Sequence, residues 1–169
     1  MPPTFAQSMI TADKVRQCWE DIVESHVAGV AFISVWTAFL DDQQEVRYPA
    51  AIWRPVTTGA ATTDAHTVQD TFAVSLLFVD QTATDRTATA RDKAHDRMDA
   101  IARQCWYRFH DLYITNTGVV DGTTLDFVAD ATPLFTPAYD ATDKHLTGVT
   151  MEVTLRATPR AICLDDYFT

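Results

Sequence analysis

The chain has 169 residues, of which 47% are hydrophobic and 21% charged, and its net charge is −10. That length makes one globular domain the default, able to bury about 70% of the surface its unfolded chain exposes. The acidity argues against a protein that grips phosphates, since such binders cluster Lys and Arg to displace counterions, and no basic stripe is present.

Residues 1–10, MPPTFAQSMI, read as an N-terminal arm. They hold no basic stretch and no long apolar run, so no signal peptide is expected. Thr11 is placed to cap a helix beginning near Ala12. Val15, Cys18, Trp19, Ile22, Val23, His26 and Val27 then recur at the spacing of one helical stripe, and Gly29 suits the helix end. His26 reads as a packed histidine at the core edge. AFISVWTAF (31–39) is β-branched and aromatic, and predicts a strand. The longest apolar run, VAGVAFISVW, reaches about half of a membrane span.

VRYPAAIWRPV (46–56) predicts a second strand. Pro49 and Pro55 cannot donate to a ladder, which points to an edge or a bulge. TTGAATTDA (57–65) reads as a loop. TVQDTFAVSLLFVD (67–80) predicts a long strand with Phe72, Val74, Leu76 and Phe78 on one face. Leu77 and Val79 fall on the other, so its end is expected to be buried on both sides.

A helix is expected from about Asp85, as N-cap or first-turn acid, to Phe109. Ala94, Met98, Ile101, Ala102, Cys105 and Phe109 share one sector at about 100° per residue. The remaining segments alternate as strands, punctuated by Gly118, Gly122 and Gly148. The order is helix, three strands, helix, three strands. It predicts a single α+β domain over residues 1–169, with a mixed or antiparallel sheet flanked by two main helices and a C-terminal tail at 159–169.

Asp92, Asp96, Asp99 and Arg103 cluster on the polar side of the second helix with His95 at its margin, and Asp99 and Arg103 have the spacing of a surface pair. A small metal-dependent hydrolase would use Asp92, His95 and Asp96 with Asp140, Asp143 and His145 of the loop YDATDKHLTG. Two or three ligands from one helix do not close a metal site, and a solvated helix face explains the same residues. Phosphate-loop, dinucleotide, nucleophile-elbow and zinc-protease motifs are missing. Cys18, Cys105 and Cys163 form no CxxC pair. The first two fall on apolar helix faces, as free thiols of a reducing compartment do.

Three segments carry a resemblance. They are VRYPAAIWRP, then DTFAVSLLFVDQTATDRTATARDKAHDRMDAIA, then ATPLFTPAYDATDKHLTGVTMEVTLRAT, followed by a Cys-Leu-Asp-Asp-Tyr tail from Cys163 to Tyr167. Their order over residues 10–168 resembles small structural proteins of tailed phages, of the tail terminator or tail-completion kind, in versions from phages of Bacteroidetes-type hosts. The resemblance implies an α+β subunit of a homohexameric ring at the head-proximal end of the tail tube. Such a ring stops tube growth and joins the tube to the head–tail connector, in the virion and in the host cytoplasm during assembly. It implies no enzyme, no cofactor, no metal and no membrane, with DNA sliding through the lumen unbound. Another neck or head–tail joining protein, or an adaptor that forms no ring, would share these features.

A ring subunit buries two unlike surfaces. Aromatics and Arg dominate such contacts, which selects Tyr48, Trp53 and Arg54 on the Pro-marked strand and Leu164, Tyr167 and Phe168 in the tail.

Overall fold

A computed structural model describes residues 10–34, 46–64, 67–81, 87–128, 131–139 and 146–157. The fold is α+β, a mixed sheet with its helices on one face. Helix α1 (Ala12–Glu24) starts at Thr11, whose side chain accepts from the Lys14 amide. Its stripe of Val15, Cys18, Trp19, Ile22 and Val23 is buried as its spacing demands. The helix stops sooner than that stripe suggests. Ser25 caps it, so Val27 leaves the stripe and stands fully exposed, while Gly29 turns the chain at φ +65°. His26 sits at the core edge, its Nε2 2.8 Å from Gln104 Oε1.

Strands β1 (Ala31–Ile33) and β2 (Ala50–Trp53) pair in parallel. Residues 35–39 of the expected first strand lie outside the described residues. β2 is an interior strand, between β1 and the long strand β4 (Thr67–Gln81), rather than an edge. Pro49 and Pro55 flank its four residues, so neither interrupts the ladder. β3 (Thr57–Asp64) corrects the expected loop: it pairs antiparallel with the N-terminal half of β4, and β2 pairs with the C-terminal half. β2 and β3 thus lie end to end along one side of β4. β8 (Leu146–Arg156) runs along its other side, and β7 (Leu134–Ala138) lies beyond β8.

Helix α2 (Ala88–His110) is capped by the Thr87 side chain, which accepts from the Ala90 amide. Thr87 therefore takes the cap role expected of Asp85, which lies outside the described residues. The helix runs on into a π-helical turn, Asp111–Thr115, and then a hairpin of β5 (Gly118–Val120) and β6 (Thr123–Leu125). Asp121 and Gly122 turn that hairpin with φ of 46° and 73°, as a tight primed turn requires.

The helices cover one face of the sheet. Trp19, Phe109, Met98 and Val15 meet Phe72, Val74, Leu76, Phe78, Met151 and Leu155 in the main core. On the opposite face a smaller core gathers Ala50, Ile52, Leu77, Val79 and Leu146 near one end. The end of β4 is therefore buried on both sides, as its continuous apolar run predicts.

Candidate functional site

Two surfaces carry the polar residues of interest. The first is the outward side of α2. Asp92 and Asp96 are exposed. His95 Nδ1 is 3.5 Å from Asp96 Oδ1, and its ring stacks on Tyr139 with centroids 5.5 Å apart. Asp99 accepts from Arg103 Nε at 2.7 Å, the pair its spacing predicts. That carboxylate raises the Arg103 pKa. The Arg103 guanidinium also lies 4.4 Å from the centre of the Phe135 ring. Arg97 donates to Asp80, at the end of β4, at 2.9 Å. These contacts clip α2 onto β4 and β7. Among the described residues no group of three His, Cys, Asp or Glu side chains converges as a metal site would. Asp140, Asp143 and His145 lie outside the described residues.

The second surface is the helix-free face of the sheet. The strand register sets its side chains in rows. Leu134 of β7 faces Glu152 of β8, which faces Ser75 of β4, and the Arg54 amide donates to the Ser75 carbonyl at 3.1 Å. In the next row Thr154 faces Ala73, which faces Thr57. Arg156 faces Thr71 in the third. Side chains two residues apart share a face, so these groups look the same way.

They line an open groove of about 1010 Å³. Its floor is short side chains, Thr57, Ala73, Ser75 and Thr154, and its charges are Arg54, Glu152 and Arg156. Leu134 stands beside it with 61% of its surface exposed. Among the described residues, the buried Ser75 Oγ beneath this floor has no hydrogen-bond partner. Two guanidiniums and a carboxylate over a shallow floor suit a charged segment of a macromolecule.

Of the residues selected from the sequence, Arg54 is exposed and lines this groove. Trp53 faces the other way. It is 6% exposed and packs in the main core against Phe32, so its own subunit already covers it. Tyr48 is half-buried against the smaller core. Leu164, Tyr167 and Phe168 lie outside the described residues. The selection missed Ser75, Leu134, Glu152 and Arg156. For Glu152 and Arg156 the signal was the polar phase of MEVTLR, in which Glu152, Thr154 and Arg156 alternate with buried Met151, Val153 and Leu155; Ser75 and Leu134 join them only through the strand register.

No helix of the described residues is long and apolar enough to cross a membrane. The buried thiols of Cys18 and Cys105 are pushed from 9.0 up to about 12 by desolvation, so neither is an activated nucleophile. A scan of protein-family models and a search of curated proteins found no match to the chain.

Proposed function

We propose that this chain is a structural subunit of a tailed-phage particle, a tail terminator that closes into a ring on the last ring of the tail tube. In this role it stops tube growth and presents its other side to the head–tail connector. The observation that carries the reading is the two-sidedness of the sheet. One face is filled by α1 and α2, and the opposite face opens a charged groove over β3, β4 and β8. A ring subunit needs two unlike surfaces that meet head to tail. The net charge of −10 is also favourable for a lumen through which DNA slides, because it repels phosphates.

Native mass spectrometry, paired with electron microscopy of purified tail tubes mixed with the protein, tests the proposal. The expected result is a discrete ring, in solution or at one end of the tubes, that blocks further tube growth. A chain that neither oligomerises nor caps tubes, and instead binds one partner as a monomer, would establish the adaptor reading in its place.

A further inference from the structure

Among the described residues, no ion pair neutralises the C-terminal end of α1. Its last turn carries Asp21 and Glu24 and no basic residue. A helix C-terminus already bears about half a negative charge, and acids there are unfavourable. Neither carboxylate makes an ion pair with another described residue. The guanidinium of Arg47 lies near Gly29, four residues past the cap Ser25, and among the described residues it forms no ion pair with either carboxylate. Three residues beyond Glu24, Val27 stands fully exposed. An acidic helix end with a bare aliphatic side chain is a surface that a basic, shallow groove would cover.

Such a groove exists on the opposite face of the same chain. Arg54 is exposed at its lip and makes no ion pair among the described residues. Arg156 adds a second positive charge against the one carboxylate of Glu152, so the groove stays net positive, and the floor of short side chains leaves room for a side chain the size of valine.

We infer that the end of α1, with Asp21, Glu24 and Val27, docks in the Arg54 groove of a second copy of this chain. The contact is heterologous, because donor and acceptor surfaces lie on opposite faces of one sheet. Repeated, it generates a ring or a filament and cannot close as a two-fold dimer. The inference deepens the ring reading and rests on it for the identity of the partner. Charge complementarity between the acidic helix end and Arg54 sets its orientation.

A charge swap tests the contact. Arg54→Glu and Glu24→Lys alter exposed positions, and circular dichroism checks that both variants stay folded. Self-association measured by sedimentation and native mass spectrometry is expected to weaken about tenfold in each single variant and to recover in the double variant, since each single change sets like charges against each other. An oligomer indifferent to all three variants overturns the contact and leaves the ring reading standing on another interface. A wild-type chain that stays monomeric calls for a second measurement, cross-linking of a mixture of Val27→Cys and Thr154→Cys copies. Inter-copy disulfides between these two positions support the contact. Their absence overturns it, while capping of tail tubes by that same chain would keep the terminator reading.

Discussion

Trp19 of α1 lies flat against Phe109 of α2, with ring centroids 4.4 Å apart and planes 3° from parallel. Both rings are fully buried, and Trp106 stacks beside them 5.9 Å from Phe109. This aromatic stack holds the two helices to each other as well as to the sheet. Phe109→Ala removes its centre, and the expected loss is about 3–5 kcal/mol of unfolding free energy. Urea denaturation of the variant measures it. A loss under about 1 kcal/mol would mean that the helices dock independently.

Gly148 lies so close under β4 that an added Cβ would run into the Phe78 carbonyl oxygen. Backbone cannot yield as a flexible side chain can, so Gly148→Ala is expected to push β8 from β4 and leave little soluble protein. Gly122→Ala is the control. Gly122 has φ +73° and open space around it, so only the strain of a left-handed residue is added, about 1 kcal/mol. Expression yield and melting temperature of the two variants rank them.

The pairing of Arg103 with Phe135 ties α2 to the edge strand β7. A double-mutant cycle on Arg103→Ala and Phe135→Leu is expected to give a coupling of about 0.5–1 kcal/mol. Asp99→Ala on its own should cost less, because its pair with Arg103 is surface-exposed and such pairs contribute about 0.5 kcal/mol. An additive cycle would show that the ring and the guanidinium are neighbours without attraction.

Burial raises the thiol pKa values of Cys18 and Cys105 from 9.0 to about 12, and desolvation moves Tyr113 in the same direction. The folded chain then keeps protons that the unfolded chain gives up. The resulting stabilisation is fully present below about pH 9 and is lost as pH rises from about 9 to about 12. Unfolding free energies measured between pH 8 and pH 11 should therefore fall with pH, and Cys18→Ala should flatten part of the slope. Alkylation mapped by mass spectrometry should find both cysteines unmodified in the native protein at pH 8 and modified in urea.

On the polar side of α2, Asp96 is exposed and His95 is held by Tyr139. Adding a divalent cation or a chelator should leave the melting temperature within about one degree of its starting value, as expected when no ligand binds the folded state. Asp96→Ala should likewise leave stability unchanged within about 0.5 kcal/mol. A chelator-sensitive melting temperature that Asp96→Ala abolishes would turn this helix face into a metal site.

The sequence by itself determined the elements whose side chains repeat. Val15, Cys18, Trp19, Ile22 and Val23 recur at the helical period and are buried. Phe72, Val74, Leu76 and Phe78 alternate and share the helix-facing core, and Asp99 meets Arg103 one turn on. These relations are local, set by 3.6 residues per turn or two per pleat, so they can be read before any tertiary contact is known. The tertiary structure alone decided what β3 is. TTGAATTD has no apolar period, and it becomes a strand only because the edge of β4 offers a ladder of backbone partners. It likewise decided that β2 lies inside the sheet, that Trp53 faces the core while Arg54 faces a groove, and that α1 stops before Val27. Which face of a sheet the helices cover depends on contacts between residues far apart in the chain, and no local period encodes that choice.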